Sequence, residues 1–238
     1  MTLFFDRVPD WLDVVVARHW KMSADVVGIE LVASGSAPLP GFAPGAYIDV
    51  LAPGRHLRPY SLCNSARERH RYVIAVLRDR QSKRGSAALH DQVRPGDLLR
   101  IRSPQNEFPL VLPAVFSVLL GAGIGVAPLM SMADTLWHRG SPFAFHIGFR
   151  SREQAPFLQE LQRAPYRDQV NVSWSEKTGR IRFAPVLSSI TPAADIYACG
   201  PAGFMNHAAA AFSAAGRSQA LWHQESFVTL PVQSGHPL

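Results

Sequence analysis

Arg58-Pro59-Tyr60-Ser61-Leu62-Cys63-Asn64 reads as the end of one β-strand running into a long basic hairpin. Side chains alternate across a strand, so Arg58 and Tyr60 fall on one face and Ser61 on the other. That set of residue types is what a flat redox cofactor with a phosphate tail requires. Arg58 offers a cation for the phosphate, Tyr60 an aromatic face for the ring, and Ser61 a small hydrogen-bond donor for the ring's reactive edge.

Working outward, residues 11–21, 26–34, 46–53, 58–65, 71–79 and 97–104 read as strands. They are short, rich in Val, Ile, Leu and Tyr, and punctuated by Pro, Gly, Asn and Asp. Six such strands predict a small antiparallel barrel over about residues 1–110. Between the last two lies the basic loop Arg80–Ser86 and then a short helix, AALHDQV, for which Ser86 is the expected N-cap. With Gly85, it offers backbone N–H groups at a helix start, a natural phosphate site.

From about residue 111 strands and helices alternate. Strands are expected at 114–121, 143–150, 169–176, 194–200 and 220–227, with helices beginning near Ala127, Ser151, Phe183 and Ala202. Ser151 with Gln154 fits a capping box, and Gly216 fits a helix stop. The alternation predicts a parallel-sheet α/β nucleotide-binding domain at about 111–228, with ligands outside the carboxyl ends of its strands. Residues 229–238 read as a flexible tail.

Two segments sit at those carboxyl ends. In Gly121-Ala122-Gly123-Ile124-Gly125-Val126-Ala127-Pro128 the glycines allow a pyrophosphate close to the backbone, and Pro128 suits a first helical turn. Val126 breaks G-x-G-x-x-G, so this is not the usual dinucleotide fingerprint. The second segment is Cys199-Gly200-Pro201-Ala202-Gly203-Phe204-Met205. Small residues there leave room for a flat ring to stack close to the backbone.

The runs RPYSLCN, RYVIAVLRD, GS, NEFPL, GAGIGVAP, ACGPAGFM and HQESF together resemble the phthalate dioxygenase reductase family, vanillate demethylase reductases included. That family is a branch of the ferredoxin–NADP reductase superfamily. The resemblance spans nearly the whole chain, in order. It implies a flavin held by Arg58, Tyr60, Ser61, Ala75, Val76, Gly85 and Ser86. It also implies a nicotinamide nucleotide held by Gly121, Gly123, Gly125, Pro128, Arg150, Cys199, Gly200 and Pro201. Catalytic roles fall to Ser61, Cys199 and Glu225, with Phe227 beside the flavin. FMN is expected over FAD, because the GS loop resembles the phosphate site of the FMN-binding branch and no adenine platform is evident in the barrel. In the family that loop is usually Gly-Gly-Ser, and Arg84 here replaces its first glycine.

NADH is expected over NADPH. Arg150, Arg152, Lys177 and Arg180 follow the second and third parallel strands and make a 2′-phosphate site physically possible. Glu176 among them instead suits a free ribose hydroxyl. The implied activity passes electrons from NADH through flavin to a separate iron–sulfur protein or oxygenase component. A stand-alone flavin or ferric reductase is the enzymatic rival, and a non-catalytic flavin-binding subunit is the rival of another class.

Composition sets the remaining bounds. With 47% hydrophobic and 18% charged residues, the 238-residue chain reads as globular. The formal charge of +6 comes without Lys-rich runs, so nucleic acid is not an expected partner. No apolar run reaches a membrane span, the N-terminus lacks an apolar signal core, and a cytoplasmic enzyme is expected. A plant-type iron–sulfur cluster requires four thiolates, and Cys63 and Cys199 are two, so no cluster is expected in this chain. The nine histidines form no ligand-spaced pair, and no metal site is expected.

Overall fold

The computed structural model describes residues 10–79 and 85–227. The segment 80–84 and the expected tail at 229–238 lie outside the described residues. Six strands form the first sheet: β1 (Trp11–Lys21), β2 (Val26–Ala33), β3 (Tyr47–Ala52), β4 (His56–Ser61), β5 (Arg71–Leu77) and β6 (Leu98–Arg102). Their order is β4-β3-β6-β1-β2-β5, and every pairing is antiparallel. A bridge between Leu62 and Ile74 draws the two edges together into a nearly closed barrel. Alternation fills the interior. Val14, Val16, Ile29, Leu31, Ile48, Val50, Tyr72, Ile74, Val76 and Ile101 point inward, and Leu89 of α1 (Ser86–Asp91) joins them.

The second sheet holds β7 (Ser117–Ala122), β8 (Phe143–Phe149), β9 (Val170–Trp174), β10 (Asp195–Cys199) and β11 (Trp222–Glu225) in the order β11-β10-β7-β8-β9, all parallel. Helices α2 (Val126–His138) and α3 (Leu158–Arg163) lie on one side, α4 (Phe183–Ser188) and α5 (Ala202–Ala214) on the other. The chain leaves β7 toward β8 and β9, then returns to place β10 on β7's opposite edge. That reversal puts the loops after β7 and β10 side by side, where open parallel sheets bind ligands.

The two sheets share apolar packing. Val26, Cys63, Val73, Ala75 and Phe108 from the barrel strands and their loops pack in one cluster with Leu119 and Tyr197 of the second sheet and Leu129, Met132 and Ala133 of α2.

Two capping expectations are corrected. Ser86 is the first residue of α1, and Gly85 takes the cap position. The Ser86 hydroxyl instead accepts the Asp79 N–H at 3.2 Å, joining the residues after β5 to the start of α1. Ser151 and Gln154 form a turn, not a capping box, because α3 begins only at Leu158. Burial of Ala155 and Phe157 in the shared cluster wins there, and Phe157 sits in the left-handed region (φ 63°), which forbids an earlier helix. Gly216 does end α5, at φ 64°. Strand β4 stops at Ser61, so Cys63 and Asn64 belong to the following loop. Strand β11 starts at Trp222, after a 3₁₀ turn over Gln219–Leu221.

Candidate active site between the two sheets

Sheet register builds the site. Cys199 lies opposite Gly121 on one side and Glu225 on the other, so three strand ends present a glycine, a thiol and a carboxylate in one row. The end of β4 meets that row. Ser61, only 4% exposed, donates from Oγ to Glu225 Oε2 at 3.3 Å. The Cys199 thiol faces the same oxygen at 4.0 Å.

Burial dominates the electrostatics. It pushes the Glu225 carboxyl up to about 7. Repulsion from Glu107 adds to the rise, and the Ser61 hydrogen bond opposes it. The Cys199 thiol is pushed upward by burial and then by Glu225. It is therefore a neutral, small side chain here and not a thiolate nucleophile.

Tyr47, directly opposite Ser61 on β3, was not legible as a site residue. Its hydroxyl lies 3.3 Å from Gln105 Oε1 and 3.5 Å from Glu107 Oε1. Burial, Glu107 and Asp49 raise its pKa. Only the cross-strand register would have found it, since sequence distance from Glu107 carries no signal.

The glycine segment approaches its neighbour closely. A Cβ on Gly125 would lie 2.3 Å from the Cys199 carbonyl oxygen, so any side chain there would force the two loops apart. Gly123 and Gly203, by contrast, have nothing within 4 Å of where a Cβ would stand. Pro201 directly precedes α5. Both α2 and α5 begin without a capping side chain and without an acid in the first turn. Two uncapped helix starts beside open space suit the phosphates of a dinucleotide. Pro128 lies buried in the first turn of α2.

On the barrel side, Arg58 and Tyr60 pair with Val50 and Ile48, so they share a face as expected. A Cβ on Gly85 would stand 3.0 Å from Arg58 Cγ, which places the arginine stem against the start of α1. Arg58 Nη1 donates to the Leu57 carbonyl at 2.8 Å. Tyr60 packs against the barrel core, and burial moves its hydroxyl up to about 12. Ala75 faces the shared cluster and Val76 the barrel interior. Val76 therefore has only backbone to offer a ligand, and its carbonyl already faces His90 Nε2 at 2.9 Å. Phe227 is 46% exposed, two residues past Glu225.

Arg150 and Glu176 pair with each other at 2.8 Å across the ends of β8 and β9. Arg152 lies over the Trp174 ring at 5.9 Å. Among the described residues no cluster of three or more His, Cys, Asp or Glu could hold a metal, and no helix is long and apolar enough to cross a membrane.

No family model matches the sequence. The vanillate O-demethylase oxidoreductase of Pseudomonas putida is 38% identical over 224 residues, covering 94% of this chain and 70% of that protein. The solved structure of phthalate dioxygenase reductase, described as modular for electron transfer from pyridine nucleotides to [2Fe-2S], superposes with a TM-score of 0.86. It is 33% identical, over 94% of this chain and 70% of that one. The flavohem-like FAD/NAD binding domain of nitric oxide dioxygenase from Vibrio cholerae gives 0.81 at 27% identity, over 92% of this chain and 99% of that one.

Proposed function

The chain belongs to the family of the vanillate O-demethylase oxidoreductases and phthalate dioxygenase reductase, and from that membership we propose that it is the reductase component of an oxygenase or demethylase system. It takes electrons from NADH and passes them through a bound flavin to an iron–sulfur partner. The observation that carries the reading is the meeting of Ser61, Cys199 and Glu225 beside the glycine segment. Residues from both sheets converge there on one small volume.

We assign the barrel, about residues 1–110, to the flavin and residues 111–228 to the nucleotide. Arg58, Gly85 and Ser86 hold the flavin phosphate, Tyr60 and Phe227 flank the ring, and the Ala75–Val76 backbone lines it. Gly121, Gly123, Gly125, Pro128, Gly200 and Pro201 cradle the nucleotide phosphates. When bound, the flavin supplies the conversion of a two-electron hydride donor into single-electron transfers. The chain's own residues position and exclude. Ser61 offers its hydroxyl at the ring edge, neutral Cys199 leaves room for stacking, and Glu225 holds or releases a proton near neutrality.

FMN over FAD is supported by Arg58, whose stem is set against Gly85 at the start of α1. NADH over NADPH is supported by Glu176, which occupies Arg150 and would repel a 2′-phosphate. Two buried free thiols fit a reducing compartment such as the cytoplasm. The test is rapid mixing of flavin-loaded protein with NADH. Loss of the visible flavin absorbance within the mixing experiment is expected, and a spectrum that stays oxidised overturns the reading.

A further inference from the structure

Helix α2 runs from one half of the proposed site to the other. It starts directly after Gly125, whose backbone is pressed against the Cys199–Gly200 peptide. Farther along, two polar side chains three residues apart, and so on one face of the helix, reach the barrel. Fully buried Ser131 donates to its own helix at the Pro128 carbonyl, 3.0 Å away, and its Oγ accepts the Gly45 N–H at 3.3 Å. Asp134 Oδ2 accepts the Ser65 hydroxyl at 2.6 Å. A short hydrogen bond from a hydroxyl to a carboxylate is among the stronger kinds.

The two attachment points are not scattered. Gly45 lies two residues before Tyr47, Ser65 lies four residues after Ser61, and Tyr47 and Ser61 are direct cross-strand partners. The Leu62 N–H to Ala46 carbonyl bond, 2.8 Å, joins the two segments between those points. Apolar contacts back the polar ones, since Leu129, Met132 and Ala133 of α2 lie in the cluster with Cys63 and Val73. From Val126 to Asp134 the helix spans about 12 Å at its usual rise.

We propose that Asp134, acting through Ser65, is a positioning residue that fixes the Arg58–Asn64 segment at a set distance from the glycine segment. The inference rests on the reading of the site given above. In these terms α2 is a strut. Its start bears on Cys199, its middle on the turn that leads into β3, and Asp134 on the loop that leaves β4. The geometry between hydride donor and acceptor is thereby set by one rigid element, and an error of an ångström there slows transfer severely. Asp134 touches neither proposed cofactor segment directly. Its other polar neighbours are His138, with Nδ1 3.4 Å from Oδ1, and Tyr166, whose hydroxyl it helps to keep protonated.

The test uses Ser65→Ala, Asp134→Ala and Asp134→Asn in the flavin-loaded chain. Both alanine variants are expected to keep their flavin and to lower the rate of flavin reduction about tenfold, with KM for NADH within about twofold of the parent. The long-wavelength absorbance of a stacked nicotinamide–flavin pair should weaken, and amide exchange over residues 58–65 should quicken. Asp134→Asn keeps an acceptor for Ser65 and should recover most of the rate. Unchanged exchange and rates in Ser65→Ala overturn the proposal. So does flavin loss from both alanine variants, a KM effect without a rate effect, or an asparagine variant as slow as the alanine one. Exchange is also read on flavin-free chain. Quickened exchange in a protein that NADH does not reduce would therefore fault the function proposed above and not the strut.

Discussion

Ser61 and Glu225, 164 residues apart in sequence, meet at 3.3 Å where the barrel edge touches the last parallel strand. Among the described residues, the side chains that donate to that carboxylate are the Ser61 hydroxyl and, at 4.0 Å, the Cys199 thiol. These neutral donors do not replace lost water, which is why burial lifts Glu225 from 4.5 to about 7.

This has a consequence for stability. The folded protein holds the Glu225 proton more tightly than an unfolded chain does. Its contribution is therefore complete below about pH 4.5 and lost as pH rises through about 7. The loss is on the order of 3 kcal/mol, at about 1.4 kcal/mol for each unit between the two values. Glu225→Gln should remove this dependence, and thermal melts of both proteins between those pH values measure it. Parallel melting curves for variant and parent would contradict the assignment.

Arg58→Ala should weaken flavin retention. It removes a charge-assisted contact worth roughly 1.5–3 kcal/mol, or about tenfold or more in Kd. Titration of flavin-free protein with FMN measures the change, and an unaltered Kd would remove Arg58 from the phosphate site.

Cofactor identity is checked separately. Heat-released cofactor should co-migrate with FMN on chromatography, and a dominant FAD peak would refute the preference.

Cys199→Ala should keep its flavin yet slow flavin reduction by NADH about tenfold, because the loss falls on positioning and not on binding. As the parent thiol is neutral, the rate should show no thiol titration near pH 8. Reduction kinetics equal to the parent's would leave Cys199 a packing residue.

The Arg150–Glu176 pair makes the nicotinamide preference a matter of two side chains. The parent should prefer NADH in kcat/KM by about tenfold, or about 1.4 kcal/mol. Glu176→Gln frees Arg150 and should narrow or reverse the ratio, measured at low ionic strength without phosphate. A parent that favours NADPH tenfold would make Arg150, Lys177 or Arg180 a phosphate ligand.

Much of this was legible because its signals are local. Short runs rich in Val, Ile, Leu and Tyr, such as Arg71–Leu77, give the barrel strands, and Gly121–Pro128 after an apolar strand marks the nucleotide turn. What escaped depends on contacts between distant segments. Nothing near Ser151 signals that Ala155 and Phe157 prefer the shared cluster to a helix start. Ser86 has a capping residue's identity, yet Gly85 fits beneath Arg58 and the hydroxyl turns to Asp79. Tyr47 and Glu107 become partners only once β3 and the segment after β6 are laid side by side. Asp134 reads as one more polar residue on an amphipathic helix until Ser65 is placed against it.

The shared apolar cluster has a bearing on how such a chain can be rearranged. Val26, Cys63, Val73, Ala75 and Phe108 find their partners in residues beyond Leu119, so each sheet, besides a core of its own, turns one apolar face to the other. Severing the chain near residue 110 would leave two greasy half-faces, each prone to self-association. Both halves should instead melt in a single cooperative transition. Exchanging the nucleotide half for that of a relative would then require exchanging the facing barrel residues with it.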